Sequence, residues 1–356
     1  MRDLSRLLSN PDRIGRHLLG LGLGVVGGAL FWSLGLPLPW MLGALFATMA
    51  AAVGGLPVSG PKRARPVVVA VIGVLLGSRF GPEVLEQAGA WLGTLAVLAV
   101  YILAVGLVVV PFYRFVGRMD WATAYFSGMP GGLAEMIEVG EARGGKVLPI
   151  TLAHSLRIVL TITIVAFWFR IVQGHEVGGM PMRAATPLSL AEALMLTGSA
   201  VVGAGLGLLL RLPAPTFLGP LLVSALLHLA GVSESAPPGW IVVMAQIVLG
   251  TIIGCRFRGV PLAALREAAV LCLGATGLTM ALAFAFALAM QRVAGVDTEQ
   301  AVLALAPGGL TEMGLIALAI HADVAFVALH HVVRILLVIV AAPLVFGLVE
   351  RLRRRD

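Results

Sequence analysis

Twice in this chain a Pro-Gly-Gly triplet interrupts apolar sequence, and the two interruptions lie 177 positions apart. The first is Met129-Pro130-Gly131-Gly132-Leu133-Ala134-Glu135-Met136, and the second is Ala306-Pro307-Gly308-Gly309-Leu310-Thr311-Glu312-Met313. Proline lacks a backbone donor and paired glycines admit unusual dihedrals, so a continuous helix is not expected through either. Each triplet is also followed closely by a carboxylate, Glu135 or Glu312.

The setting gives these breaks their weight. Of 356 residues, 59% are hydrophobic and 12% charged, with a mean hydropathy of +0.99. A soluble domain carries about 25% charged residues, so the chain reads as an all-α integral membrane protein. Apolar runs of near-spanning length recur from about Leu18 to Phe346, against a hydrocarbon layer of ~30 Å. In lipid, irregular backbone persists only where protein buries it or a cavity wets it. The paired breaks are therefore the candidate working centre.

Other landmarks repeat in register. Leu36-Pro37-Leu38-Pro39, a sharp corner, corresponds to Leu212-Pro213-Ala214-Pro215. Gly73 with Gly77-Ser78-Arg79-Phe80 corresponds to Gly250 with Gly254-Cys255-Arg256-Phe257. Asp120 pairs with Asp297, and His154-x-x-Arg157 with His331-x-x-Arg334. The chain thus reads as a tandem duplication. A polar cytoplasmic N-terminus (1–17) precedes membrane repeat 1 (18–173), a linker (174–187), membrane repeat 2 (188–349) and a basic C-terminus (350–356).

Lysines and arginines bear on orientation. If every run crosses, there are twelve spanning helices and parallel repeats, with sixteen positive residues inside and seven outside. If each Pro-Gly-Gly segment is re-entrant, each repeat has about five spanning helices and the repeats are inverted. The split then becomes nineteen to four, which the positive-inside bias favours. Both arrangements take the N-terminus as cytoplasmic and return the C-terminus to the same side.

Arg157 and Arg334 lie deep within the last apolar run of each repeat, where an unpaired arginine costs about 2.5–3.5 kcal/mol on insertion scales. An anionic partner is expected for each, and Glu135 and Glu312 are the symmetric choice. His154 and His331 precede the arginines by three residues and so share a helical face with them. A helix restarting after Gly132 or Gly309 would point free N–H groups into the membrane interior, as broken helices do in transporters with inverted repeats. The candidate solute- or ion-binding set is therefore Pro130, Gly131, Gly132, Glu135, His154, Arg157, Pro307, Gly308, Gly309, Glu312, His331 and Arg334. The bland alternative is a pair of salt bridges that only brace kinked helices.

Several classes are set aside. No Gly-x-Ser-x-Gly elbow or Cys-x-x-Cys pair is present, so no enzyme, metal or cofactor is expected. Cys255 and Cys272 read as packing residues. The net charge of +7 resides at segment ends and in short loops, which fits lipid headgroups and not nucleic acid. The tyrosines, Tyr101 among them, and the tryptophans read mostly as an interfacial aromatic belt. The expected partners are the bilayer, a small solute or ion, and a further copy of the chain in a homo-oligomer.

Three stretches carry a family resemblance: Leu36-Pro37-Leu38-Pro39-Trp40-Met41-Leu42-Gly43-Ala44, Gly73-Val74-Leu75-Leu76-Gly77-Ser78-Arg79-Phe80, and Pro130-Gly131-Gly132-Leu133-Ala134-Glu135-Met136. With their second-half partners they resemble the AbrB family of bacterial membrane proteins, whose hallmark is this duplication. The second copy departs at Thr216-Phe217, where the first has Trp40-Met41. The resemblance implies a multi-pass membrane protein, described in that family as a regulator of gene expression or, in an older label, as an ammonia monooxygenase. It supplies no catalytic residues. Two functions follow as expectations: an ion- or proton-coupled secondary transporter of a small anionic metabolite, or a membrane-embedded regulator or sensor that acts without transport.

Overall fold

The computed structural model describes residues 11–81, 84, 89, 91–177 and 188–353. Parts of the expected N-terminus, linker and C-terminus lie outside the described residues. Every regular element among those described is helical. From the first half come α1 (Pro11–Ser33), α2 (Pro39–Val53), α3 (Arg65–Gly77), α4 (Trp91–Pro111), α5 (Trp121–Gly128), α6 (Leu133–Ala142) and α7 (Val147–Ile171). The second half supplies α8 (Leu190–Leu209), α9 (Pro215–Leu229), α10 (Gly239–Gly254), α11 (Leu262–Ala294), α12 (Thr298–Leu305), α13 (Leu310–Ala319) and α14 (Val324–Arg353).

Seven of these, α1, α4, α7, α8, α10, α11 and α14, are long and apolar enough to cross a membrane. The helices α2, α9 and α13 are apolar but shorter. Local chemistry sets many of the ends. At the two Pro-rich corners, Leu38 and Ala214 both adopt left-handed backbone with φ of 43° and 46°, and a proline opens the next helix. Asp120 caps α5 by accepting the Thr123 N–H at 2.8 Å, and Asp297 caps α12 by accepting the Glu299 N–H at 3.0 Å. After Pro111 removes a donor, α4 continues through a π-helical turn, Phe112–Val116.

The helices fall into two compact units, each drawing on both sequence halves: Met1–Gly81 with Ala166–Leu262, and Pro82–Val165 with Ala263–Asp356. In the first unit α1 packs on α2, α8 on α9, α10 on α2 and α9 on α3. Small residues permit the close approach. A Cβ on Gly43 would collide with the carbonyl of Gly27, and one on Gly219 with the carbonyl of Gly203. In the second unit α12 and α13 both pack along α14, and α4 meets α5 and α14. The broken segments, both arginines and both histidines belong to this second unit.

Candidate functional site

Both Pro-Gly-Gly segments are broken as expected. Helix α5 stops at Gly128 and α6 restarts at Leu133 with Gly132 as its N-cap; α12 stops at Leu305 and α13 restarts at Leu310 with Gly309 as its N-cap. With 8 and 10 residues, α5 and α6 measure about 12 and 15 Å, each well short of a bilayer core.

Three contacts with α7 give the direction of the first break. The N–H of Lys146 donates to Thr123 Oγ1 at 2.8 Å, so the far end of α6 returns to the start of α5. Further along, His154 reaches the carbonyl of Phe126 at 2.7 Å and Arg157 that of Met129 at 3.2 Å. Helix α5 therefore runs alongside α7 in the same sense, and α6 doubles back. The second break is built alike. The Asp323 N–H lies 3.4 Å from Gln300 Oε1, His331 reaches the Leu303 carbonyl at 2.9 Å, and Arg334 reaches that of Ala306.

These contacts correct one expectation. No carboxylate lies within ion-pair distance of Arg157 or Arg334 among the described residues; ion pairs lie elsewhere, as at Arg143–Glu350, 3.6 Å, and Arg170–Glu176, 3.5 Å. Each guanidinium instead donates to carbonyls beyond the C-terminal end of a half-helix. Those groups lack helical partners and carry the negative end of the dipole, so they suit a cation. The carboxylates of Glu135 and Glu312 lie back over their own N-cap glycines, Gly132 and Gly309, where a Cβ would strike them. Charge is thus matched to helix ends, and not Glu to Arg.

The two copies differ in detail. Arg157 gives its second hydrogen bond to Nδ1 of His154, at 2.9 Å. Because His154 Nε2 faces a carbonyl and must donate, this imidazole is the neutral Nε2–H tautomer. Arg334 turns its second nitrogen to the carbonyl of Gly308, at 3.0 Å, and Nδ1 of His331 is left without a partner. Glu312 is buried, at 7% exposure, and accepts from Thr311 Oγ1 at 2.7 Å, whereas Glu135 is half-buried. Its predecessor is Ala134, which has no hydroxyl to give.

Tyr101 is a residue the sequence reading misplaced. It is not interfacial: it sits in the middle of α4 with 0% exposure, and its hydroxyl has no hydrogen-bond partner. It lies within electrostatic reach of both Arg157 and Arg334, and the two arginines lie within reach of each other. Nε of each arginine and the hydroxyls of Ser127 and Ser155 are likewise buried and unpartnered. The available signal was a tyrosine at the centre of the cleanest apolar span, far from either end.

Comparison with known proteins gives a consistent placement. The sequence model of a family described as "Transition state regulatory protein AbrB" matches residues 40–350. A protein of Escherichia coli strain K12 named "Putative regulator AbrB" is 26% identical over 317 residues, covering 88% of this chain and 90% of that one. "Uncharacterized protein YhjN" of Bacillus subtilis strain 168 is 24% identical over 370 residues, covering 97% of this chain and 96% of its own.

Proposed function

Since the chain belongs to the AbrB family and has the apolar helices of a multi-pass membrane protein, we propose that it is a secondary transporter of a small anionic metabolite. One observation carries this reading. Two buried guanidinium groups lie within electrostatic reach of each other and of the unpartnered Tyr101 hydroxyl, with no carboxylate in ion-pair range among the described residues. Like charges at close quarters in a low dielectric favour an anion between them. The restarted helices α6 and α13 bring the positive ends of their dipoles to the same unit, each with its own carboxylate, Glu135 or Glu312, lying over it.

The doubled-back course of α5–α6 and α12–α13 supports the re-entrant arrangement over twelve crossings. Five crossings and one re-entrant hairpin per repeat make the two repeats inverted, as the positive residues favour. The protein would then sit in the bacterial inner membrane with both termini in the cytoplasm, and coupling would be to an ion or a proton. The printed names of the family model and of the E. coli relative favour a second reading, a membrane regulator that acts without carrying a solute.

Flux in proteoliposomes separates the two, using a panel of small carboxylates and inorganic anions. Arg157→Ala or Arg334→Ala abolishes uptake of the carried anion, and Glu312→Gln reduces it, with each variant still monodisperse and folded. Uptake that survives both arginine substitutions would remove the site from this proposal. No uptake of any panel member, together with a crosslinked cytoplasmic partner, would favour the regulator.

A further inference from the structure

The second unit holds a cavity of about 250 Å³ beside the first hairpin. Exposed Arg118, Asp120, Lys146 and Glu267 line its mouth, the first three where α5 begins and α6 gives way to α7 and the last on α11. Ala264 and Ala268 of α11 form one wall, and buried Tyr113, Ala153 and Cys272 form the floor. The Tyr113 hydroxyl lies 3.6 Å from Cys272 Sγ, and both groups lie within electrostatic reach of Arg157. Ala153 in the floor lies one helical turn before Arg157 on α7, so the cavity stops one turn short of the arginine that the proposed anion would meet.

The same place in the second copy is filled. Displacing the lining residues by the repeat offset of 177 exchanges Pro149 for Phe326, Ala153 for His330, Ala268 for Trp91 and Leu271 for Thr94. These four larger or polar side chains interlock. The rings of Trp91 and Phe326 pack edge to face at 5.7 Å, and the His330 ring lies 4.0 Å from that of Phe326. His330 Nε2 is 2.9 Å from Thr94 Oγ1, and its Nδ1 is 2.8 Å from the Phe326 carbonyl. All four residues are buried.

We propose that the cavity is the vestibule through which a small anion reaches Arg157, and that Trp91, Phe326, His330 and Thr94 form the shut counterpart on the other copy. The inference rests on the anion site proposed above and adds a direction: one approach is open, and the other is closed by side chains that have smaller or apolar counterparts around the cavity. The mixed charges at the mouth admit ions of either sign, and Arg157, one turn beyond the floor, selects anions.

Thiol labelling tests this without knowledge of the solute. In a Cys255→Ser, Cys272→Ala background, a cysteine is placed at Ala268, in the cavity wall, or at Leu95, the counterpart of Cys272. Ala264→Cys serves as a second cavity position should Ala268→Cys misfold. Proteoliposomes are treated from either face with the anionic sulfonatoethyl methanethiosulfonate or its cationic trimethylammonium analogue, and total thiol is counted after denaturation. Access governs such exchange rates, so Ala268→Cys should react at least about tenfold faster than Leu95→Cys, from one face only and faster with the anion. Adding Thr94→Val, which removes the His330 contact, should raise labelling at Leu95→Cys. Cavity cysteines that react only after denaturation, or equal rates at the two copies, overturn the vestibule. Labelling reads the vestibule alone and flux in the arginine variants reads the anion site, so either idea can fail while the other stands.

Discussion

The two compact units solve opposite problems. In the first, corresponding helices of the two halves make the same contacts: Gly27 against Gly43 and Gly203 against Gly219, Gly73 against the Phe217 carbonyl and Gly250 against that of Met41. Its buried residues are mostly small and apolar, and the agreement between copies reaches the level of single atoms. The second unit buries two arginines, three histidines and a row of unpartnered hydroxyls, and here the copies diverge. Packing that only has to hold can be repeated unchanged. On the transporter reading proposed above, groups that treat two approaches to a site differently cannot be.

The largest effect is expected where backbone meets backbone. Gly219→Val sets side-chain atoms against the Gly203 carbonyl, which cannot yield as a side-chain tip would. Overpacking of this kind costs at least about 1–3 kcal/mol. Gly198→Val on α8 is the control, since a Cβ there meets nothing within 4 Å. Thermal unfolding in detergent should place Gly219→Val far below Gly198→Val; similar midpoints would mean that the glycine contacts do not organise this unit.

An intermediate effect belongs to the arginines. Arg334→Ala strips donors from two carbonyls, Ala306 and Gly308, while Arg157→Ala strips an imidazole nitrogen and one donor of the Met129 carbonyl, which keeps the Gly131 N–H at 2.9 Å. A buried acceptor left bare costs about 1–3 kcal/mol. An imidazole can also switch tautomer and donate, which a carbonyl cannot. Arg334→Ala should therefore be the less stable of the two in a denaturant titration, and the reverse order would dissolve the energetic asymmetry drawn here.

The smallest effect is at the hairpin mouth. Burial pushes the Asp120 carboxyl up, but hydrogen bonds from the Thr123 amide and hydroxyl, with the charge of Lys146, outweigh it and hold the group below its usual 3.8. A carboxyl depressed on folding stabilises fully above its ordinary value, and that contribution disappears as pH falls through the depressed one. Asp120→Ala should cost about 1 kcal/mol as a lost helix cap, with the gap closing in strong acid. A gap that persists unchanged there would assign the effect to packing.

Much of this was legible in the residues. Both Pro-Gly-Gly breaks and both Pro-rich corners lie where the residues place them, although the left-handed backbone of Leu38 and Ala214, each just before a proline, runs against local preference. Each depends on neighbours a few positions away. The pairing of Arg157 and Arg334 with Glu135 and Glu312 was not legible, because the nearest compensating charge was sought among side chains. The structure uses the dipole ends of α5 and α12, whose carbonyls have no signature of their own in sequence. Tyr101 escaped for a related reason: an aromatic residue in an apolar run looks the same whether it faces lipid or a buried guanidinium.

The sequence by itself determined that this chain is helical and apolar, that it breaks twice, and that it carries two sets of matching landmarks. Periodicity, proline and glycine act over one or two turns, so these features need no partner. Only the tertiary structure decided that each compact unit draws on both halves, and that the broken segments double back. It also decided that one copy leaves a cavity where the other is filled by Trp91, Phe326 and His330. Those outcomes depend on which surfaces meet across more than a hundred residues, and an identical motif written twice cannot say which copy will be the open one.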